Sequence, residues 1–259
     1  MGTLKEKQLL AKGAGQSESL YLDEIALRKG QGNFETVVST DFRVLTLIKG
    51  KSSESLQGFL RSLPGINSIK QVCMDMCSPF AHAVKQVLPK AIIVVDRFHV
   101  IQKLNDALEQ ARKRTHPKLD EQERKRFKRI HFLLGQEYQA LHRDEKRLVR
   151  DYLRLNKVLK PIYWECQRLR KILFYRRFSS AEQAYDVLWE WCEQARKHLK
   201  RFIETLERWW YPVLNACLFP LSNARQEGIN NKIKLVKRQG FGYTNRQTFR
   251  LKVLAAFNP

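Results

Sequence analysis

The stretch Ser68–Val100 constrains the fold of this chain more than any other part of the sequence. It holds two short apolar runs, one ending at Met74 and one covering Ala91–Val95. Short runs rich in β-branched residues are typical of buried strands. Between them, Ser78 is expected to cap a helix over Pro79–Leu88. A crossover this short predicts a βαβ unit whose two strands are parallel neighbours.

Each of these apolar runs is followed by an aspartate. Asp75 comes after the first run and Asp96 after the second, with His99 three residues further on. Open α/β sheets place their ligand sites at the carboxyl ends of parallel strands. Carboxylates gathered there can hold Mg²⁺, because a hard cation prefers oxygen ligands. This edge of the sheet is therefore a candidate metal site.

Three further strands are predicted ahead of the βαβ unit. They cover Ser19–Leu27, Phe34–Thr40 and Arg43–Ile48, and a short helix follows from Ser52 or Ser53 to Leu63. The tight connections predict an antiparallel meander. An order of β-β-β-α-β-α-β is the layout of the ribonuclease H fold, an α/β fold with a mixed five-stranded sheet and helices. In that layout the first and fourth strands are neighbours, which would bring Asp23 next to Asp75.

The charge of the chain points to a polyanionic partner. Lys and Arg number 48 against 26 Asp and Glu, a formal net charge of +22. DNA or RNA is the first candidate and an anionic membrane surface the second. No apolar run approaches the ~20 residues of a spanning helix, and residues 1–16 lack the apolar core of a signal peptide. The five scattered cysteines form no C-x-x-C pair, which argues against structural zinc and favours a reduced, cytoplasmic setting.

The middle of the chain changes character, because strand patterns give way to long charged helices after Ile101. One helix is predicted over Arg143–Tyr175 with a bend near Pro161. Another is predicted from a capping box at Ser179 through Tyr211. The expected organisation is a flexible lead-in over residues 1–18 and the first part of the core over 19–100. A helical insertion follows over 101–218, and the C-terminal helices of the core cover 219–259.

The C-terminal region contains a helix with one polar face. Ser222 is expected to cap it, and it runs to about Arg238. At 100° per residue, a carboxylate, two amides and two cations share a narrow wedge: Glu227, Asn230, Asn231, Lys234 and Arg238. The apolar residues of the helix face the other way. A last helix is predicted from about Asn245, packing through Phe249, Leu251, Val253 and Leu254.

These placements lead to a site hypothesis in which Asp23, Asp75 and Glu227 meet around two divalent metal ions. Two metals ~4 Å apart can activate an attacking oxygen and stabilise a leaving one in phosphoryl transfer. Lys234 and Arg238 would hold backbone phosphates beside them, and the amides of Asn230 and Asn231 are expected to contact the DNA as well. The competing interpretation is that the three acids are ordinary surface carboxylates of a basic protein, and the pattern alone leaves both open.

Asp96 and His99 form a second open question. A D-x-x-H pattern at a strand end can supply a metal ligand or a base. It can equally provide a structural hydrogen bond at the start of the helical region, and a single histidine is more often structural.

Three stretches resemble the ISL3 family of bacterial insertion-sequence transposases, which carry a DDE domain on a ribonuclease H-like fold. They are LDEIALRKGQGNFETVV, VCMDMCSPFAHAVKQVLPKAIIVVDRFHVIQKLNDAL and SNARQEGINNKIKLVKRQGFGYTNRQTFRLKVL. The middle of the chain is similar only in being helical and basic, like the insertion that such transposases carry before the catalytic glutamate.

The resemblance implies DNA strand cleavage and strand transfer with Mg²⁺ or Mn²⁺ at Asp23, Asp75 and Glu227. It places Asp96 where related transposases carry a C-x-x-H element, so Asp96 remains an alternative second acid; the adjacent-strand argument favours Asp75. The implied partners are the insertion-sequence ends and target DNA, bound by a homo-oligomer near the nucleoid.

One departure from the family pattern concerns the residues ahead of the first acid. Family members carry a zinc-binding segment and a helix-turn-helix there, whereas 22 residues without Cys or His precede Asp23 in this sequence. The sequence therefore predicts an N-terminally truncated catalytic part. The alternatives are a non-catalytic DNA-binding remnant and a ribonuclease H-type nuclease acting on RNA–DNA hybrids.

Overall fold

The structure, a computed structural model, describes most of the chain in two compact units. The described residues are 17–26, 34–41, 43–115, 117–219, 221, 224–240, 243 and 245–257. One unit combines the described residues up to Asp96 with those from Leu221 onwards, and the other is formed by the described residues of Arg97–Pro220. Residues 1–16 of the predicted lead-in and the predicted cap at Ser222 lie outside the described residues.

The first unit is built on five strands and four helices of the described chain. The strands are β1 (Ser19–Ala26), β2 (Phe34–Ser39), β3 (Val44–Lys49), β4 (Gln71–Met74) and β5 (Ile92–Val95). The helices are α1 (Ser53–Ser62), α2 (Ser78–Val87), α10 (Ala224–Gln239) and α11 (Arg246–Phe257), with a 3₁₀ turn at Ile66–Ser68. Helices are numbered along the whole chain, and the second unit contains the helices between α2 and α10.

The five strands form a single mixed sheet in the order β3-β2-β1-β4-β5. β1–β2 and β2–β3 are antiparallel, whereas β1–β4 and β4–β5 are parallel. Parallel strands need a crossover connection, and α2 supplies it between β4 and β5. This is the ribonuclease H-like α/β architecture that the order of sequence patterns predicts.

Helices α10 and α11 pack on the strands of the antiparallel meander, and the side chains between them form an apolar core. Its strand members come from β1, β2 and β3, and its helix members lie on one face of each helix. They are Ile25, Val37, Val44, Leu47, Ile233, Val236, Phe249, Val253 and Leu254. The prediction that Leu251 joins this core is wrong, since its side chain is 42% exposed. Leu251 lies on the outer face of α11, two residues from the inward-facing positions 249 and 253.

An ion pair fixes the start of α11 against the sheet. The Arg246 guanidinium donates from Nε and Nη2 to the two carboxylate oxygens of Glu35, both at 2.6 Å, and Nη2 also donates to the Leu47 carbonyl. Glu35 is 2% exposed, so its charge is compensated by this cation inside the protein. Asn245 caps the same helix, because its Oδ1 accepts from the backbone N–H groups of Gln247 and Thr248.

The βαβ unit forms close to its predicted limits, with one difference at the start of α2. Cys77 is the N-cap residue and Ser78 is the first helical residue, so the predicted Ser78 cap is displaced by one position. Pro79 still lies in the first turn, where its missing N–H costs no intrahelical bond. The cap of α1 is Ser52, whose side chain accepts from the Ser55 N–H.

The regular secondary structure of the second unit, over its described residues, consists of helices. Its helices are α3 (Arg97–Arg114), α4 (Glu121–Arg126), α5 (Ile130–Leu134), α6 (Arg143–Leu155), α7 (Leu159–Phe174), α8 (Ala181–Arg208) and α9 (Trp210–Leu218), with a 3₁₀ turn at Tyr138–Ala140. The contacts of α3 and α8 with α7 organise this unit. None of the described helices is long and apolar enough to cross a membrane.

Two long helices predicted from the sequence are each divided in the structure. The first is interrupted at Asn156, whose Oδ1 accepts from the Leu159 N–H and begins α7. Pro161 lies in the first turn of α7, where proline is tolerated, so the predicted bend at Pro161 is a break five residues earlier. The second begins one residue later than predicted, with Ser180 accepting from the Gln183 N–H, and ends at Trp209, after which α9 begins.

Candidate active site

Asp23 lies in the middle of β1, on the sheet face that α10 covers. Its side chain is 7% exposed. One carboxylate oxygen, Oδ1, accepts from the Glu24 backbone N–H at 2.7 Å, and the other, Oδ2, accepts from Asn230 Nδ2 at 2.5 Å. Glu24, the next residue along the strand, forms an ion pair with Lys51. The acidic pair in β1 is therefore divided between a buried, hydrogen-bonded aspartate and a glutamate paired with a lysine.

Asp75 is the residue that follows β4, and the register of the sheet brings it beside Asp23. In the parallel pairing of β1 with β4, Leu22 is opposite Met74. Continuing that register by one residue places Asp75 opposite Asp23, with both side chains on the same face. The ligand oxygens of the two aspartates lie within 4.8 Å of one another.

Asp96 occupies the equivalent position one strand further out. Its backbone N–H donates to the Met74 carbonyl at 2.9 Å, and its side chain is 2% exposed. β5 is two strands from β1, roughly 9–10 Å away, whereas β4 is its direct neighbour. Among the described residues, Asp96 is outside the group whose ligand atoms come within 4.8 Å of both Asp23 and Asp75. His99 lies in the first turn of α3, in the helical unit.

The polar residues of α10 divide between two environments. Asn230 is half-buried and contacts Asp23, whereas Glu227, Asn231, Lys234 and Arg238 are exposed. Glu227 is in the first turn of α10, where the helix dipole favours an acid. Among the described residues, its carboxylate is also outside the 4.8 Å group around Asp23 and Asp75.

Gln226 docks the start of α10 and lies outside the polar wedge that the sequence pattern predicts. It is 1% exposed, and its Oε1 accepts from the Ser39 hydroxyl of β2 at 2.6 Å. The position was detectable from its spacing, since Gln226 stands seven residues before the apolar Ile233 and so on the same face.

Cys77 lies two residues after Asp75 but does not share its chemistry. Burial, and then the nearby carboxylates of Glu24 and Asp75, raise the pKa of the Cys77 thiol above its ordinary value. A thiol in this state is protonated at neutral pH and is a poor nucleophile. The chemistry of the site therefore rests on oxygen donors.

The donor set around Asp23 and Asp75 fits a divalent cation such as Mg²⁺ or Mn²⁺. Two carboxylates from adjacent strands supply hard oxygen ligands at one point. The Oδ1 atom of Asn230 is buried beside them and has no hydrogen-bond partner among the described residues. A buried acceptor of this kind next to two acids is suited to a site that takes up a hydrated cation.

Comparison with known proteins gives two matches. A family model described as a transposase, the DDE transposases of the ISL3 group, matches residues 20–253. The chain is also similar to the transposase for insertion sequence element IS1001 of Bordetella parapertussis, with 32% identity over 250 residues. That alignment covers 93% of this chain and 61% of the relative, so the chain spans about three-fifths of the relative's length.

Proposed function

We propose a function in DNA transposition, since this chain belongs to the ISL3 family of transposases. The proposed activity is metal-dependent cleavage of a DNA strand followed by strand transfer, acting on an insertion-sequence end and a target DNA. The observation that carries the proposal is the convergence of Asp23 and Asp75, from two different parts of the sequence, within 4.8 Å of one another. The proposed substrate is genomic DNA, so the proposal includes action at the bacterial nucleoid.

Asp23 and Asp75 would hold the divalent cation, and Glu227 is proposed as the third acid. When bound, Mg²⁺ or Mn²⁺ would lower the pKa of a water molecule and stabilise negative charge on phosphate oxygens. Glu227 is exposed at the start of α10, on the helix that contacts Asp23. DNA binding is proposed to bring Glu227 into the site, and Asp96 remains the alternative second acid.

The rest of α10 is proposed to hold the DNA backbone. Lys234 and Arg238 are exposed and follow Glu227 by two and three turns, about 10 and 16 Å along the helix axis. Cations at such distances can bind successive phosphates of one strand, while Asn231 offers an uncharged donor between them. The net charge of +22 supplies the salt-dependent part of the affinity.

The proposed chemistry consists of two phosphoryl transfers that use the same acids. In the first, water attacks a phosphodiester at the element's end, and the bond to the 3′ oxygen breaks to leave a 3′-hydroxyl and a 5′-phosphate. In the second, that 3′-hydroxyl loses its proton to solvent and attacks a phosphodiester of the target. A new phosphodiester forms and a target 3′-oxygen leaves. Neither step needs a covalent bond to the protein.

A plasmid assay tests the proposal. The full chain is incubated with a supercoiled plasmid that carries its coding region and flanking genomic DNA, in Mg²⁺, in Mn²⁺ and in EDTA. We expect nicked or joined products with either metal and none in EDTA. An RNA–DNA hybrid is included as a competing substrate. No product on any DNA, including pre-cleaved ends, would favour a non-catalytic DNA-binding protein, and preferential cleavage of the hybrid would favour a ribonuclease H-type nuclease.

A further inference from the structure

The contact between Asn230 and Asp23 suggests a role that the family match does not assign. Asn230 Nδ2 donates to Asp23 Oδ2 at 2.5 Å, across 207 residues of sequence. The Glu24 backbone N–H holds the other oxygen of the same carboxylate at 2.7 Å. Donors on both oxygens restrict the rotation of the carboxylate about its Cβ–Cγ bond. A carboxylate oxygen has two lone pairs, so a hydrogen bond and a cation can share one oxygen.

Asn230 is itself held in place by residues on both sides of it along α10. Gln226, one turn earlier, is buried and accepts from the Ser39 hydroxyl at 2.6 Å. Ile233, one turn later, is fully buried in the core between the helix and the sheet. The three residues are spaced i, i+4 and i+7 and so face the same strands. The helix that carries Asn230 is thus anchored at two other points, and this holds the Asn230 amide against Asp23.

An amide suits this position better than a charged donor. Lys or Arg in contact with Asp23 would neutralise the carboxylate and compete with a cation for it. The Asn230 amide orients the oxygen without removing its charge. Its own carbonyl oxygen, Oδ1, is buried without a hydrogen-bond partner among the described residues, and so remains an acceptor at the edge of the site.

We propose that Asn230 is a positioning residue that orients Asp23 for binding a divalent cation. The proposal rests on the proposed function for its cation. It assigns to Asn230 a part separate from the DNA backbone contacts that the sequence pattern suggests. Partners of metal-ligating carboxylates typically change metal affinity 10- to 100-fold when they are removed. Asn230→Ala should therefore weaken the site without removing either acid.

The test measures Mn²⁺ binding to the full chain in the absence of DNA, by the electron paramagnetic resonance signal of free Mn²⁺. We expect Asn230→Ala to raise the Mn²⁺ dissociation constant about 10-fold or more. The matched control is Gln239→Ala, which removes an exposed amide at the end of the same helix and should stay within about 2-fold of wild type. Thermal unfolding followed by circular dichroism confirms that both variants are folded.

A second variant separates positioning from a purely structural contact. Asn230→Leu keeps nearly the same side-chain volume but removes the amide that donates to Asp23. A positioning residue acts through this donor, so Asn230→Leu should raise the Mn²⁺ dissociation constant about 10-fold or more, as Asn230→Ala does. If Asn230 only filled space, Asn230→Leu would bind Mn²⁺ like wild type.

The outcomes distinguish this inference from the proposed function. Wild-type Mn²⁺ affinity in Asn230→Ala or in Asn230→Leu overturns the positioning role even if the wild type cleaves DNA. Weakened Mn²⁺ binding in Asn230→Ala combined with no cleavage by the wild type leaves the positioning role and overturns the transposase activity. A wild-type chain that binds no Mn²⁺ at millimolar concentration overturns both.

Discussion

Asp75→Asn should reduce metal-dependent DNA cleavage by about 1000-fold or more. The substitution removes one of the two negative charges that lie within 4.8 Å of each other. A metal ion contributes several kcal/mol to phosphoryl transfer, and each 1.4 kcal/mol corresponds to a tenfold change in rate. Asp75 follows its strand and is half-buried, so the isosteric amide should leave the fold intact. The measurement is the rate of plasmid nicking in Mg²⁺.

The affinity of Asp75→Asn for DNA is the control that separates a loss of cleavage from a loss of binding. Cations bind the DNA backbone, so the dissociation constant of Asp75→Asn for duplex DNA, measured by fluorescence anisotropy, should change by less than about 2-fold. Glu54→Gln makes the same carboxylate-to-amide change at an exposed residue of α1 in the same unit and should cleave like wild type. Cleavage at the wild-type rate by Asp75→Asn would transfer the second-acid role to Asp96 or end the proposal.

Arg246→Met should destabilise the unit that holds the sheet by about 2–4 kcal/mol. Removing one partner of a buried pair leaves an uncompensated charge and typically costs ~3–5 kcal/mol. We expect somewhat less because the Arg246 side chain is 38% exposed whereas that of Glu35 is 3% exposed. The two bonds to Glu35 and the bond to the Leu47 carbonyl are all lost. The loss should appear in β2, β3 and the start of α11.

The measurement for Arg246→Met is native-state hydrogen exchange read by mass spectrometry on peptides from β2 and β3. A loss of 2–4 kcal/mol corresponds to exchange that is roughly 30- to 1000-fold faster for amides that open with this unit. Lys70→Met is the matched control, because its partner Glu18 is exposed and surface pairs contribute ~0–1 kcal/mol. Equal increases in the exchange rate of the two variants would show that the buried ion pair stabilises this unit no more than the exposed pair does.

The probe for Arg246→Met has to report on the unit that contains the sheet. All five tryptophans lie between residues 164 and 210, in the helical unit. Tryptophan fluorescence therefore reports on the helical unit and is a poor reporter of the unit that contains Arg246. Peptides from β2 and β3 report on the affected strands themselves.

The adjacency of Asp23 and Asp75 could be predicted from the sequence because it depends on topology alone. Two apolar runs joined by a short helix must form parallel neighbours, and the layout of the meander places β1 beside β4. The register of the parallel pair then determines that the two aspartates share a face. No side-chain detail is needed for this step, and the structure has the predicted sheet order.

The contacts across the helices of the same unit could not be predicted in this way. Glu35 and Arg246 are 211 residues apart, and the chain has 48 cations that could have paired with a buried acid. The pairing depends on where α11 packs on the sheet, which periodicity does not specify. The same reason explains why the sequence assigns Asn230 to a polar wedge, whereas the structure shows its amide on Asp23.

Helix ends were also decided by local side-chain bonds that compete with periodicity. The amphipathic pattern continues through Asn156, yet the Asn156 side chain accepts from the Leu159 N–H and divides the helix there. A short polar side chain of this type offers the backbone an alternative partner. Pro161 is the more conspicuous residue, but a proline in a first turn costs no hydrogen bond.

A crystal of the full chain soaked in MnCl₂ and measured at a wavelength with strong manganese anomalous scattering would locate the metal. The proposed site predicts an anomalous peak about 2–2.5 Å from carboxylate oxygens of both Asp23 and Asp75. The same peak should disappear in crystals of Asp75→Asn. A map with no peak between these two side chains at millimolar Mn²⁺, or with its strongest peak elsewhere on the protein, would contradict the metal-dependent chemistry proposed for this chain.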